Sequence, residues 1–374
     1  MNVNASAIVI GGGIIGSSIA YELAKSGMKV TLLDKGAVGQ EASTAAAGML
    51  GAQVETHHPG AFYELCTKSQ ELYRPWSEEL FAYTGISPQY IDEGILRVAL
   101  TEEDEAELRG RLPWIRHAQW VSPEEIRRRE PQLTEAVRGG LWFDRDHQVH
   151  PIHLMLALRA SLVKRGVTIR EWTPVFRLLQ SQGRITGVQT SEGPLYADHV
   201  VLAAGAWSPA LTEAFGMQLP MFPVQGQCLS IRTEAPMLTS TAFTKGCYIV
   251  PKQDGSCIVG ATQVEAGFDK RSTAEAVARL QDKAVQLVPK LKEAEFLRTW
   301  TGLRPGSRDG LPFLGTWDQL PGLVFATGHY RNGILLAPVT AVLIRELLTG
   351  GSTSLNLAPF SPERAAEAAK ARAT

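Results

Sequence analysis

Short apolar segments and a glycine-rich turn open the chain. Residues 5–10 (ASAIVI) and 29–33 (KVTLL) are largely apolar runs of the length expected for buried strands. Between them lie the glycine-rich residues 11–16 (GGGIIG) and a stretch with helical spacing. The pattern predicts a strand, a turn, a helix and a second strand, which together form a parallel βαβ unit.

The glycines of this turn have the spacing that a dinucleotide requires. Gly11 permits a tight turn, Gly13 lets the backbone approach a pyrophosphate, and Gly16 lets the helix pack closely on the strand. Asp34 lies 23 residues after Gly11, where its carboxylate would accept hydrogen bonds from ribose hydroxyls. The sequence therefore predicts a dinucleotide-binding site, and the alternative is a purely structural turn.

Further elements follow from apolar spacing and from capping residues. Residues 60–83 carry apolar side chains at helical spacing, and Pro75 would kink or split that helix. Ser122-Pro123-Glu124-Glu125 has the sequence of a capped helix start, and another helix is predicted from Pro151 to about Arg165. Strands are predicted over residues 91–100, 167–169, 175–179, 185–190 and 196–203.

The second half of the chain begins with an antiparallel pattern. Residues 225–231, 247–251 and 256–262 alternate between apolar and polar positions, and Asp254-Gly255 provides the hairpin turn between the last two. This predicts an α/β fold (α+β overall) in which a parallel, nucleotide-binding domain is interleaved with a domain built on a large antiparallel sheet.

The remaining elements return to the parallel domain. A helix over residues 273–288 and a strand over 323–325 flank a loop rich in Pro and Gly, which carries Arg304. A long helix is predicted from Gly333 to Leu348. The Ala-rich residues 364–374 are expected to form a short helix or a frayed end.

Composition narrows the classes of partner. The 374 residues include 37 Lys and Arg against 38 Asp and Glu, so no basic surface is expected to attract nucleic acid. The longest apolar runs are too short to span a membrane, and no signal peptide is expected before the first strand. The four cysteines form no CxxC pair, which fits a reducing cytoplasm.

A cluster of histidines suggests a metal site only superficially. His147, His150 and His153 are regularly spaced, and Asp144 and Asp146 are close to them in sequence. Because Pro151 interrupts the local periodicity, the spacing does not place these groups on one face, and no metal is predicted.

Several sequence strings together resemble one known family. They are the glycine turn with Asp34, residues 43–49 (STAAAGM), 201–208 (VLAAGAWS), 302–305 (GLRP) with 309–312 (DGLP), and 328–334 (GHYRNGI). They resemble the flavin amine-oxidising family of D-amino-acid oxidase and sarcosine oxidase, and within it the bacterial members that oxidise glycine for thiamine biosynthesis. The similarity extends from Ile8 to about Pro362.

The resemblance implies FAD as cofactor and a small amino acid and O2 as substrates. The FAD-binding domain would comprise residues 1–85, 145–222 and 302–374, and the substrate-binding domain residues 86–144 and 223–301. Glycine, sarcosine and small D-amino acids would lose a hydride to flavin N5, O2 would be reduced to H2O2, and the imine would supply the thiazole of thiamine. A homotetramer is also implied.

The resemblance further implies the site residues. The catalytic residues would be Tyr248, Arg304 and Arg331, with Arg304 and Tyr248 holding the substrate carboxylate, and the substrate pocket would include Met49, Gly51 and Gly246. The cofactor-binding residues would be Gly11, Gly13, Ile14, Ile15, Gly16, Asp34, Lys35, Ser43, Thr44, Ala46, Ala47, Gly48, Met49, Val175, Ala204, Gly205, Trp207, Arg304, Arg331, Asn332, Gly333, Ile334 and Leu335.

Two chemical expectations depend on individual residues. Some relatives bind flavin covalently through a cysteine near residues 304–315, but no cysteine follows Cys257, so noncovalent FAD is expected. No general base is expected to be essential, because water can take the proton of the amine, and His329 and Tyr330 are not needed for this.

Three alternatives remain open from the sequence. A D-amino-acid dehydrogenase would pass electrons to a quinone and would need a membrane contact. A flavin-fold protein could bind the cofactor without oxidase chemistry. The glycine turn alone is also compatible with an NAD-dependent dehydrogenase.

Overall fold

The computed structural model describes residues 5–350 and 352–365. Its helices are α1 (Ile14–Lys25), α2 (Ala42–Ala45), α3 (Ala61–Thr84), α4 (Glu102–Arg111), α5 (Pro123–Arg129), α6 (Pro151–Lys164), α7 (Ser208–Thr212), α8 (Ala274–Leu287) and α9 (Gly333–Leu348). Residues 366–374 of the predicted C-terminal helix or frayed end lie outside the described residues.

The strands of the first half are β1 (Ser6–Ile10), β2 (Lys29–Leu33), β3 (Met49–Leu50), β4 (Ile95–Ala99), β5 (Ala118–Val121), β6 (Gly139–Phe143), β7 (His147–Gln148), β8 (Thr168–Arg170), β9 (Val175–Ser181) and β10 (Arg184–Thr190). Those of the second half are β11 (Gly193–Tyr196), β12 (His199–Leu202), β13 (Met221–Arg232), β14 (Thr241–Thr244), β15 (Cys247–Pro251), β16 (Ser256–Gly260), β17 (Glu295–Ser307), β18 (Phe313–Thr316) and β19 (Leu323–Thr327).

The predicted βαβ unit is confirmed and lies in a six-stranded sheet. The strand order is β18-β19-β12-β1-β2-β8, and every neighbouring pair is parallel except the antiparallel edge pair β18–β19. Apolar side chains of α1, α3, α6 and α9 form a core against this sheet, and Ile19, Leu23 and Leu336 are fully buried in it. A mostly parallel sheet covered by helices is the Rossmann-like arrangement.

The predicted antiparallel sheet is also present. Its eight strands have the order β17-β13-β16-β15-β14-β4-β6-β5, and only the β4–β14 pair among them is parallel. The helix α8 packs against β13, β15 and β16 through buried residues such as Leu280 and Leu287.

The prediction of a loop around Arg304 is wrong, because this residue lies in the 13-residue strand β17. The strand pairs with β13 from Met221 to Arg232, so Gly302 and Pro305 sit inside a regular ladder that has one shift of register, near Ser230. A domain boundary at residue 302 would cut this strand, and the division of the chain into two domains remains a prediction.

Two other expectations need correction. Pro75 does not split its helix, since α3 runs from Ala61 to Thr84 with this residue inside, anchored by buried Tyr73 and Trp76. The single strand expected over residues 196–203 is instead two strands in different sheets, β11 and β12, separated by Ala197 and Asp198. In the described residues, no helix is long and apolar enough to cross a membrane.

Candidate active site

A long cavity lies between the two sheets, at the carboxyl ends of the parallel strands. It begins at the residues that follow β1, β2, β12 and β19, which include Gly11, Asp34, Ala204 and Gly328. It continues to Tyr248 and other residues of the antiparallel sheet. Ligands of open α/β sheets bind at this edge, so the cavity is the candidate site.

Gly11 and Gly16 of the glycine turn are packed too tightly against backbone atoms for a side chain. Gly11 has φ +103°, and a Cβ there would be 2.4 Å from the carbonyl oxygen of Ala203. A Cβ on Gly16 would be 1.9 Å from the carbonyl oxygen of Gly11. Gly16 therefore does not line the cavity, and its role is to bring α1 against the turn.

Asp34 and Ser43 hold the turn and α1 in place. The Asp34 carboxylate accepts hydrogen bonds from the amides of Gly12 (2.7 Å) and Gly36 (2.8 Å). Burial raises the pKa of Asp34, against the lowering effect of these two amides. Ser43 Oγ accepts from the amide of Ile14 at 2.8 Å, so this serine caps the beginning of α1.

The first turn of α9 reaches the opposite wall of the cavity. Asn332, Gly333 and Ile334 line it, and within the described chain the Asn332 side chain does not cap the helix. The beginning of this helix therefore borders the cavity, with the partial positive charge of the helix dipole behind it.

Tyr248 lies at the other end of the cavity, over a glycine. It stands opposite Gly260 on the neighbouring strand, and a Cβ at residue 260 would be 2.5 Å from Tyr248 Oη. The ring is buried, and burial raises the pKa of Tyr248 well above its usual range. The hydroxyl therefore stays protonated and can donate a hydrogen bond.

The two predicted arginines have different partners. Arg304 Nη1 donates to the carbonyl oxygen of Thr262 at 3.1 Å, and no carboxylate of the described residues forms an ion pair with this guanidinium. Arg331 donates from Nε and Nη2 to the two carboxylate oxygens of Glu55, at 2.8 and 2.9 Å. Of the two guanidinium groups, only that of Arg304 has no ion pair with a carboxylate of the described residues.

Glu55 was not predicted from the sequence. It lines the cavity on the segment between β3 and α3, which has no periodic pattern, and it lies 276 residues from Arg331 in the chain. Arg111 Nη2 donates to the carbonyls of Gln53 and Thr56, and Asp146 accepts from the amides of Gln53 and Val54. The backbone on both sides of Glu55 is thus fixed.

The small residues after Ser43 are needed because this segment is confined. A Cβ on Gly302 would be 2.6 Å from Ala45 Cβ, and Trp300 Nε1 donates to the carbonyl of Ala45 at 2.9 Å. Buried Lys252 donates from Nζ to the carbonyl of Ala47 at 2.7 Å, and burial lowers the pKa of Lys252 to about 7. The segment is therefore held rigidly along the cavity wall.

Most of the predicted site residues line this one cavity. They are Gly11, Gly13, Ile14, Ile15, Asp34, Lys35, Ser43, Ala46, Ala47, Gly48, Met49, Val175, Ala204, Gly205, Trp207, Tyr248, Arg304, Arg331, Asn332, Gly333 and Ile334. Trp207 is in the wall rather than the core, with Lys35 Nζ 3.2 Å from its ring centre.

Four further residues do not line the cavity. Thr44 donates to the carbonyl of Gly39 and borders a smaller, separate cavity, while Leu335 is buried against α3. Gly51 is packed under Val54, since a Cβ would be 2.6 Å from Val54 Cγ1. Gly246 forms the turn between β14 and β15 with φ +82° and faces Lys283.

The cavity fits an elongated dinucleotide cofactor. Gly11, which lines its backbone turn, leaves no space for a side chain, and the beginnings of α1 and α9 border the same cavity. Among the described residues, no group of three or more His, Cys, Asp or Glu side chains is placed to hold a metal ion.

A family model described as FAD dependent oxidoreductase matches residues 6–347. The chain belongs to this family. The resemblance found in the sequence is thereby confirmed, the cofactor of this FAD-dependent oxidoreductase is FAD, and the NAD-dependent alternative is wrong.

Individual relatives agree with this assignment. The glycine oxidase of Geobacillus kaustophilus is 39% identical over 95% of this chain and 96% of its own length. Its crystal structure superposes with a TM-score of 0.92, covering 96% of this chain and 98% of that one. The bifunctional protein ThiO/ThiG of Nostoc sp. is 38% identical over 96% of this chain, which spans 54% of that protein.

Proposed function

We propose that this FAD-dependent oxidoreductase oxidises glycine and other small amines, such as sarcosine and small D-amino acids, and reduces O2 to H2O2. The observation that carries the proposal is the Arg304 guanidinium, which faces the cavity beside the Tyr248 hydroxyl without a carboxylate partner in the described chain. The similar glycine oxidase of Geobacillus kaustophilus supports it.

Arg304 and Tyr248 would hold the substrate carboxylate. A guanidinium fork matches a carboxylate with two parallel hydrogen bonds, and a phenol hydroxyl adds a third donor. Both side chains cross glycines of the neighbouring strands, Gly226 and Gly260, which fixes their direction. The carboxylate would thus be pinned, and the Cα–H would be kept in one orientation.

The α9 helix start would stabilise charge on the cofactor. Bound FAD supplies the acceptor for a hydride and the route of its electrons to O2. Asn332, Gly333 and Ile334 present the positive end of the helix dipole to the cavity, so negative charge that develops there is favoured without a charged side chain.

Three titratable side chains of the described cavity residues are poorly suited to general acid or base catalysis. Burial lowers the pKa of His329 to about 3, so this imidazole is neutral and has little basicity. Tyr248 stays protonated and Glu55 is paired with Arg331. The substrate amine would therefore lose its proton to water before its hydride leaves.

We further infer a role in thiamine biosynthesis. The relative named ThiO/ThiG carries this type of chain beside a second part, which supports transfer of the imine product to a thiazole-forming partner. Noncovalent FAD, a homotetramer and a cytoplasmic location belong to the same proposal.

Anaerobic titration of the purified holoprotein tests this function. Glycine, sarcosine, D-alanine and D-proline should each bleach the flavin absorbance, and admitted O2 should restore it with one H2O2 per amine oxidised. Restoration only by a quinone would favour the D-amino-acid dehydrogenase. A flavin that none of these amines bleaches would contradict the proposal.

A further inference from the structure

Two guanidinium groups face the substrate end of the cavity, but they differ in charge balance. Arg304 is bound only through Nη1 to a backbone carbonyl, and among the described residues no Asp or Glu forms an ion pair with it. Arg331 forms a bidentate ion pair with Glu55, and Arg331 Nη1 lies 3.4 Å from Gln263 Oε1. Among the described residues, the substrate end of the cavity therefore has one guanidinium in an ion pair with a carboxylate and one without such a pair.

The Glu55–Arg331 pair is well formed and mostly shielded from water. The side chains are 11% and 26% exposed, respectively. Burial alone would raise the pKa of Glu55, but the Arg331 guanidinium holds that pKa below its usual range. Glu55 is thus ionised, and it uses the edge of the Arg331 fork that a ligand carboxylate would otherwise bind.

Glu55 cannot easily move away from Arg331. Arg111 binds the carbonyls of Gln53 and Thr56 at 2.6 Å each, and Asp146 binds the amides of Gln53 and Val54 at 3.0 and 2.7 Å. Because these bonds fix the backbone on both sides of Glu55, an incoming ligand would meet the ion pair as a preformed wall of the cavity.

We propose that Glu55 determines specificity by making Arg331 unavailable, so that the site accepts amines with one carboxylate and rejects amines with two. A second carboxylate would find the Nε and Nη2 edge of Arg331 already occupied and would be repelled by Glu55. This inference rests on the proposed function, since it takes Arg304 as the anchor of the first carboxylate.

Binding of unreactive analogues tests the inference without turnover. (Methylthio)acetate has one carboxylate and thiodiacetate has two, and neither contains an amine that can be oxidised. Their dissociation constants are measured from the change in flavin absorbance of the holoenzyme. We expect the wild type to bind (methylthio)acetate about tenfold or more tightly than thiodiacetate, and Glu55→Gln to shift this ratio at least about tenfold towards thiodiacetate.

A double variant separates the roles of the two residues. In Glu55→Gln/Arg331→Gln no guanidinium remains to take the second carboxylate, so the gain in thiodiacetate binding should disappear. Arg331→Gln alone keeps the charge of Glu55 and should bind thiodiacetate more weakly than the wild type. This single variant also serves if Glu55→Gln does not fold.

Glu107→Gln is the matched control, because Glu107 also accepts a hydrogen bond from a guanidinium, that of Arg97 at 2.8 Å, but lies outside the cavity. Its ratio of dissociation constants should equal that of the wild type.

Three results would overturn the inference. They are an unchanged ratio in Glu55→Gln, a gain that persists in the double variant, and stronger thiodiacetate binding by Arg331→Gln. A wild type that binds neither analogue would instead contradict the carboxylate anchor of the proposed function.

Discussion

The side chain of Arg304 lies across the backbone of Gly226. A Cβ at residue 226 would be 2.1 Å from Arg304 Nη1 and 2.4 Å from Arg304 Cζ. The two residues are on the paired strands β13 and β17, where Gly226 stands opposite Gly302. The guanidinium can keep its place only while position 226 has no side chain.

Gly226→Ala should displace the guanidinium of Arg304. Because the new methyl group overlaps the atoms that would bind the substrate carboxylate, we expect the KM for glycine to rise about tenfold or more. Steady-state H2O2 production over a range of glycine concentrations measures this. Gly110→Ala on α4 is the control, since a Cβ there contacts nothing within 4 Å. An unchanged KM in Gly226→Ala would contradict the assigned position of Arg304.

Arg304→Ala should weaken substrate binding and leave the cofactor in place. Loss of a bidentate hydrogen bond to a carboxylate should cost about 2–5 kcal/mol. This corresponds to a fall in kcat/KM of about thirtyfold or more. The flavin absorbance of the purified variant, measured beside its kinetics, distinguishes the two possible roles of this residue. A colourless protein would assign Arg304 to FAD rather than to the substrate.

The nucleotide half of the site was predictable because its chemistry is local in sequence. Gly11, Gly16 and Asp34 lie within one βαβ unit, and each is required by the turn itself. The long helix that begins at Gly333 was equally clear, since its apolar spacing is continuous.

The substrate half was harder to predict because its contacts join distant segments. Gly302 and Pro305 resemble loop residues in the sequence, yet in β17 Gly302 is required by the close approach of Ala45. Glu55 belongs to an irregular segment, and its partner Arg331 is 276 residues away. No pattern of sequence spacing predicts that such residues will be in contact, because only the folding of the whole chain brings them together.

Ser43→Ala tests the capping of α1. Ser43 Oγ accepts a hydrogen bond from the buried amide of Ile14, so the variant leaves this amide without its acceptor. The free energy of unfolding of the FAD-free protein should fall by about 1–3 kcal/mol. Urea unfolding followed by circular dichroism measures the change. Ser87→Ala removes a similar bond to the amide of Gln89 at an exposed site and should cost less than about 0.5 kcal/mol. Equal effects of the two variants would contradict the capping role.

His329 should make the protein sensitive to acid. The imidazole is 4% exposed, its Nε2 lies 3.1 Å from Thr340 Oγ1, and burial lowers the pKa of His329 from 6.5 to about 3. Between these two values the unfolded chain binds a proton that the folded protein does not. The stability contributed by neutral His329 is therefore complete above about pH 6.5 and is lost progressively as the pH falls towards 3.

His329→Gln should remove this part of the acid sensitivity. From pH 7 to pH 5 the wild type should lose about 2 kcal/mol more free energy of unfolding than the variant, since each pH unit below the unfolded pKa costs about 1.4 kcal/mol. Urea unfolding at both pH values gives the comparison, and His58→Gln, a change at an exposed histidine, should leave the wild-type loss unchanged. If His329→Gln lost as much stability as the wild type, the imidazole would have to be protonated in the folded protein, and a role for it in proton transfer would have to be reconsidered.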